Sequence, residues 1–421
     1  MQVALFFFYW DNPDMFQPKS VQVSVMGSKH ANNDDFALMN PEQGIYVICD
    51  GVSEGGKGRF AAEFVAKQIQ EKLVEANRYL KNYKEPLPGP RKLQRMQEFL
   101  VDAFSNAQKN LLTLSLQNSN YKDSHCTCIA VWVDQKFAIL GHLGDSRAYL
   151  YRSGKIYTLT KDHKGYDELI KMGKSPEEAA AYPMAGAVSR AFGSNFTIPD
   201  MLLIEFQPKD ILMMATDGLY SPLSSGQGLP QLVELMLAGK DLKPVAEQCA
   251  RLSGDDATLI EVQFPEGSAE SAPLFAADRV QLISEMPVSK YFDYAQQSHV
   301  AAICQIEEYK AGSVVVQEGT EGETLYIVAK GTLEILIKGQ FIAYKKPGEF
   351  IGEVTLIQQG KRTATAIAKE DVVLLSLKRQ DLYDSFKNDV EFERNFYKGL
   401  LDMVLDRLII QGREIAKMKS V

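Results

Sequence analysis

Positive charge is what this sequence has too little of. Its 46 Lys plus Arg stand against 54 Asp plus Glu, a formal net charge of −8. A chain without a basic excess has no general attraction for nucleic-acid backbones or anionic membranes, so neither is expected as a partner. Cysteine is scarce, five in 421 residues, and the odd number gives no sign of a disulfide framework. The start carries no basic flank before its short apolar run Phe6-Phe7-Phe8-Tyr9-Trp10. That run reads as a first strand rather than a secretory signal or membrane element, and a reducing cytoplasm is the expected compartment. Long apolar stretches are missing too, none approaching the roughly eighteen residues of a spanning helix. What is present, 45% hydrophobic and 24% charged residues, suits a folded globular protein of two or three domains.

From Val21 to Phe264 short apolar runs alternate with long helical patterns. Gly44 to Asp50, Thr127 to Val133, Lys136 to Leu143 and Asp210 to Ala215 read as buried strands, each bounded by Gly, Asp or Lys. Phe60 to Tyr79 and Leu93 to Leu116 carry apolar residues at helical spacing, as in Phe60, Phe64, Val65, Ile69 and Leu73. The segment Pro265 to Pro273 is small, polar and bracketed by prolines, a linker composition. The expected division is residues 1–265, a linker at 266–277, and a second domain at 278–421. In that domain glycines recur between β-type runs from Tyr309 to Leu377, the pattern of a small antiparallel barrel or jelly roll flanked by helices. Leu401, Leu405, Leu408 and Ile409 mark an apolar face near the C-terminus, which either packs on the barrel or forms a dimer seam.

Aspartates stand at the ends of the first domain's strands. They are Asn33-Asp34-Asp35, Asp50-Gly51, Gly144-Asp145-Ser146-Arg147, Thr216-Asp217-Gly218 and Gly254-Asp255-Asp256-Ala257-Thr258. One such Asp is usually a turn former. Five sites together, without companion Cys or His ligands, suit hard cations such as Mg²⁺ or Mn²⁺.

In order and spacing these motifs, with Leu159 to His163 and Val188 to Gly193, resemble the metal-dependent type 2C family of protein serine/threonine phosphatases. The resemblance implies an α+β fold, a four-layer α-β-β-α sandwich with a two-metal site at one end, and a phosphoprotein substrate. By motif, Asp50 would bridge two Mn²⁺ or Mg²⁺ ions, and the Gly51 carbonyl with Asp34 would complete the second site. Asp217 and Asp255 would hold the first metal, Asp145 is the candidate for a third and weaker site, and Asp35 would orient the attacking water. Two cations about 3.5–4 Å apart lower a water's pKa and polarise the phosphoryl oxygens for in-line attack. The helical pair Tyr166 to Ala179 would be the flap beside the site.

Three departures accompany the resemblance. The family's phosphate-binding arginine falls at His30, beside Lys29, and neither offers arginine's bidentate fork. The second-site glutamate falls at Asp34, one methylene shorter, and the turn after Gly51 is expanded to Val52-Ser53-Glu54-Gly55-Gly56 without the histidine some members carry. The same departures support a second reading, a pseudophosphatase that binds phosphoproteins. His125-Cys126-Thr127-Cys128 has no second Cys pair at zinc spacing and reads as a core strand.

In the second domain, Phe350 to Ala366 places a glycine and a short helical pattern before Arg362. Backbone N–H groups at such a turn bind an anion, and an arginine can pair with a phosphate. Alternatively, Glu353 and Arg362 simply pair with each other. The cassette resembles the phosphate-binding cassette of cyclic-nucleotide-binding domains. The resemblance implies that Glu353 binds the ribose 2′-hydroxyl while the Gly352 and Ala364 backbone and the Arg362 guanidinium hold the cyclic phosphate. Thr363 would favour cGMP without excluding cAMP, and the nucleotide would act as a regulatory effector.

Overall fold

The computed structural model describes residues 18–52, 57–82, 89–135, 137–194, 198–265, 276–353, 360–386, 390–402 and 405. The chain divides into two compact units, Met1–Ser268 and Ala269–Val421. The expected first strand at Phe6 to Trp10, most of the expanded turn after Gly51 and nearly all of the linker lie outside the described residues.

The first unit is built on two five-stranded antiparallel sheets. One has the order β1 (Lys19–Val25), β10 (Ala257–Gln263), β9 (Ile211–Ala215), β6 (Arg147–Arg152), β7 (Lys155–Thr158). The other runs β2 (Phe36–Asn40), β3 (Ile45–Cys49), β4 (Cys128–Asp134), β5 (Phe137–Leu143), β8 (Asp200–Glu205). Every residue of β3 and β9 is buried, because alternate side chains meet a helical layer on one face and the other sheet on the opposite face. Ile45, Val47 and Cys49 join Cys128, Ala130 and Trp132 in a core with α1 (Lys57–Lys81) and α2 (Gly89–Gln117). Met213, Ala215 and Leu259 pack against α5 (Asp217–Leu223), α6 (Gly228–Leu237) and α7 (Lys243–Ser253). Tyr46, Ile48, Ile129, Leu212 and Ile260 are 0% exposed in the middle. The result is the four-layer α-β-β-α sandwich that the resemblance implied. Strands buried on both faces read as continuous apolar runs, which is why they were legible.

Helix α1 begins at Lys57, three residues before the first apolar position of its pattern. Within that first turn Gly58 permits a close approach: a Cβ on it would lie 2.6 Å from the Gly51 carbonyl oxygen, and one on Gly51 would lie 2.3 Å from the Gly58 carbonyl carbon. The first turn of the helix therefore rests directly on the turn that follows β3. The expected flap region forms α3 (Gly165–Lys171) and α4 (Pro176–Ala180), the latter opened by a capping box between Ser175 and Glu178.

In the second unit, a jelly roll is formed by two four-stranded antiparallel sheets rather than one closed barrel. Their orders are β11 (Gln305–Tyr309), β20 (Val372–Lys378), β14 (Thr324–Lys330), β17 (Phe350–Ile351) and β12 (Val314–Val316), β19 (Thr365–Ala368), β15 (Leu333–Ile337), β16 (Gln340–Lys345). A two-stranded ribbon pairs β13 (Glu321–Gly322) with β18 (Gly360–Lys361). Helices α8 (Ala276–Ser284) and α9 (Tyr294–Ile303) precede the sheets, and helical residues follow at 379–386 and 390–402. The buried side of the last helix is made by Phe392, Phe396 and Leu400, with Phe392 and Phe396 against Phe386. Leu401 and Leu405 of the expected apolar face are 58% and 47% exposed, and Leu408 and Ile409 lie outside the described residues.

Candidate metal centre and anion pocket

Antiparallel pairing brings the distant aspartates to one edge of the sandwich. The end of β3 pairs with the start of β2, the end of β5 with the start of β4, and the end of β9 with the starts of β6 and β10, as in Cys49↔Phe36, Leu143↔Cys128 and Ala215↔Arg147. The loops at that edge carry Asp34-Asp35, Asp50-Gly51, Asp145, Asp217 and Asp255.

The side chains converge. Burial, followed by the negative charges of Asp35, Asp217, Asp145 and Asp255, pushes the Asp50 carboxyl well above the ordinary carboxylate range. Burial and the charges of Asp145 and Asp255 push Asp217 up to about 6. Asp35 is fully enclosed and also raised by burial. It accepts a 2.8 Å hydrogen bond from Thr216 Oγ1. Asp145 is raised by burial, against which Lys164 acts, its Nζ 3.5 Å from Oδ2. Asp34 lies on the flank beside Asp256, His30 and the first turn of α1, and its Oδ1 is buried with no hydrogen-bond partner among the described residues. Among the described residues, the donor atoms that lie within 4.8 Å of one another belong to His30, Asp255 and Asp256; the neighbouring carboxylates and the unsatisfied Asp34 oxygen add hard donors of the kind that suits Mg²⁺ or Mn²⁺.

His30 and Lys29 lie at the same edge. Nδ1 of His30 is 2.9 Å from Asp256 Oδ2 and Nε2 is 3.5 Å from Asp255 Oδ1, so both ring nitrogens face carboxylates. The hydrogen bond to Asp256 raises the histidine pKa, against the effect of burial. Lys29 is exposed and donates to the Ser253 carbonyl at 3.0 Å.

Sequence reasoning named Asp256 and Thr216 within their motifs without giving them a role, and passed over Arg59 and Lys164. Asp256 is 2% exposed and accepts the N–H groups of Gly27 and Asp34, both at 2.7 Å. It ties the loop between β1 and β2 to the start of β10. Arg59 donates to the carbonyls of Asn33 and Asp35 and lies 4.8 Å over the Phe36 ring. The signal for Asp256 was the doubled acid in Asp255-Asp256; Arg59 left none. Cys126 and Cys128 are fully buried core side chains beside Cys49.

In the second unit, Arg362 is 9% exposed, and its Nη1 is buried without a hydrogen-bond partner among the described residues. Burial lowers its pKa, and its guanidinium carbon lies 5.8 Å from the Tyr326 ring centroid. Two glycines make its cradle: a Cβ on Gly322 would come within 2.0 Å of Nε, and one on Gly352, at φ +83°, within 2.4 Å of Nη1. The backbone is fixed by the 2.7 Å bond from Arg362 N–H to the Thr320 carbonyl. Thr363 follows directly and is exposed, while Gly352, Glu353 and Ala364 are partly buried. The helical turn expected at 354–359 lies outside the described residues.

A family model described as "Protein phosphatase 2C" matches residues 22–247, and one described as "Cyclic nucleotide-binding domain" matches residues 306–389. A putative protein phosphatase 2C-type of Streptococcus pyogenes is 27% identical over 207 residues, 48% of this chain and 79% of its own length. Protein phosphatase PhpP of Streptococcus pneumoniae is 24% identical over 252 residues, 58% of this chain and 97% of its own. Among solved structures, the serine/threonine phosphatase PstP/Ppp of Mycobacterium tuberculosis is 22% identical, with a TM-score of 0.47, covering 59% of this chain and 99% of that one. The phosphatase match spans more than half of the chain, and the chain belongs to this family of metal-dependent protein serine/threonine phosphatases, with a cyclic nucleotide-binding domain in its second unit.

Proposed function

We propose that the chain hydrolyses phosphoserine and phosphothreonine at the aspartate-lined edge of its first unit and that a cyclic nucleotide bound at Arg362 regulates it. The observation that carries the first part is that a partly buried Asp50 feels the negative charges of Asp35, Asp217, Asp145 and Asp255 together. Asp50 would bridge two cations, Asp217 and Asp255 would hold the first, Asp34 and the Gly51 carbonyl the second, and Asp145 a third. When bound, such cations supply a water of lowered pKa and neutralise charge on the phosphoryl oxygens. Asp35, held by Thr216, would accept a hydrogen bond from the attacking water and so orient it. Arg59 fixes the carbonyls of Asn33 and Asp35 and so the position of both neighbouring carboxylates. Lys29, exposed beside His30, is the cationic side chain that would meet the substrate phosphate.

The unpartnered buried nitrogen of Arg362 supports an anion in the second unit. Glu353 would take the ribose 2′-hydroxyl, Gly352 and Ala364 the cyclic phosphate together with Arg362, and Thr363 the guanine of cGMP in preference to cAMP. Regulation requires the nucleotide to bind two states of the protein with different affinity. Five free, buried cysteines accord with a cytoplasmic setting, and among the described residues no helix is long and apolar enough to cross a membrane.

Phosphopeptide hydrolysis with Mn²⁺, with and without cGMP or cAMP, tests both parts. The expected result is metal-dependent release of phosphate at a rate that nucleotide changes. Absence of hydrolysis with any divalent cation would leave a phosphoprotein-binding pseudophosphatase. Equal rates at saturating nucleotide would remove the regulatory role.

A further inference from the structure

His30 occupies the position where the type 2C resemblance places a phosphate-binding arginine, but its surroundings are those of a ligand histidine. Nδ1 is 2.9 Å from Asp256 Oδ2. The Asp256 side chain is 2% exposed, and its two oxygens also hold the N–H groups of Gly27 and Asp34 at 2.7 Å. A carboxylate so fixed cannot swing away, so it sets the ring plane. By accepting from Nδ1 it leaves the lone pair on Nε2, the arrangement of carboxylate–histidine–metal triads. Nε2 faces Asp255 Oδ1 at 3.5 Å. Asp255 is itself held by the Asp256 N–H, which donates to that oxygen at 2.8 Å. Two donors each about 2.1 Å from one cation lie roughly 3–3.5 Å apart, so Nε2 and Oδ1 are spaced to share one. A phosphate dianion, by contrast, would meet at His30 a ring whose two nitrogens already face carboxylates of like charge to its own.

We propose that His30 is a nitrogen ligand of the divalent cation held by Asp255, with Asp256 as the positioning residue that fixes its ring, and that this nitrogen biases the centre towards Mn²⁺ over Mg²⁺. The inference rests on the reading of Asp255 as a metal ligand. Mg²⁺ keeps oxygen ligands and water, whereas Mn²⁺, although the weakest binder of the first-row divalent series, accepts a nitrogen ligand beside its oxygens more readily than Mg²⁺ does. The substitution of histidine for arginine then trades substrate affinity for metal selectivity.

The test is pulsed electron paramagnetic resonance of the full chain loaded with Mn²⁺, with and without histidine labelled by the heavy nitrogen isotope. The expected spectrum contains a histidine-nitrogen coupling that changes on labelling and disappears in His30→Arg. Calorimetry should show Mn²⁺ binding weakened about tenfold or more in His30→Arg and in Asp256→Asn, with Mg²⁺ binding changed much less. Mn²⁺ bound in an Asp255-dependent manner without histidine-nitrogen coupling, or with a coupling that survives His30→Arg, would overturn the proposal and leave the phosphatase reading intact. Mn²⁺ binding indifferent to Asp255→Asn would overturn both. The labelled wild-type spectrum decides the matter even if a variant fails to fold.

Discussion

The two units bury opposite electrical imbalances, and they assemble them differently. In the first, Asp50 sits among Asp35, Asp145, Asp217 and Asp255, contributed by five loops far apart in sequence. In the second, one guanidinium, Arg362, lies buried between Gly322 and Gly352. The acidic centre exists only when two sheets are correctly stacked. The cationic pocket needs one ribbon, β13 with β18, and the turn after β17. A centre made by the whole fold should fail sharply when one member is lost, whereas a pocket resting on one residue should fail only in its own function.

The largest expected effect is at Asp50. Asp50→Asn should lower Mn²⁺-dependent phosphopeptide hydrolysis by more than about 100-fold, the upper range for losing even an outer partner of a metal ligand. Nucleotide binding, measured by calorimetry on the same variant, should be unchanged. The reciprocal variant, Arg362→Ala, should weaken cGMP and cAMP binding by roughly 10- to 100-fold, since a hydrogen bond to a charged group contributes about 1.5–3 kcal/mol. Basal hydrolysis without nucleotide should be kept. A large loss of basal hydrolysis in Arg362→Ala would break the contrast between the two regions.

Acidity sharpens the same comparison. With its pKa raised from 3.8 to about 6, Asp217 binds more protons folded than unfolded across that interval. Its contribution therefore favours the folded metal-free state at low pH and is lost as pH rises through the interval. Thermal melts in chelator should show the first unit falling in stability from about pH 4 to pH 6. Mn²⁺ should remove most of that fall, because the cation replaces the protons. The smallest effect concerns Thr363, where Thr363→Ala should weaken cGMP by about tenfold or less and leave cAMP nearly unchanged, as loss of one neutral hydrogen bond requires.

The acidic edge was legible because its strands are doubly buried. A run such as Ile45 to Cys49 has no polar face, so the Asp that ends it stands out. His30 was legible as a position and not as an environment. Its partners Asp255 and Asp256 lie more than 220 residues away in sequence, and no local pattern announces that both its nitrogens face carboxylates. Arg59 was hidden for a related reason: it looks like one more charged residue at a helix start, and only the fold brings it to the carbonyls of Asn33 and Asp35. In the second unit the recurring glycines indicated tight turns correctly. The separation into two sheets depends on long-range register, such as Leu325↔Leu377 and Leu333↔Ala368. At the C-terminus, leucine spacing pointed to Leu401 and Leu405, whereas aromatic packing chose Phe392 and Phe396.

The contact between Gly51 and Gly58 makes a rigid coupling between α1 and the turn that carries Asp50. Backbone touches backbone there, with no side chain between to act as a cushion. Any tilt of α1, from repacking Ala61, Ala62 or Val65 against the sheet, is therefore passed on to the Asp50-Gly51 turn without being absorbed. Ordinary core variation on the hidden side of that helix can tune the geometry of the acidic centre without altering any of its carboxylates.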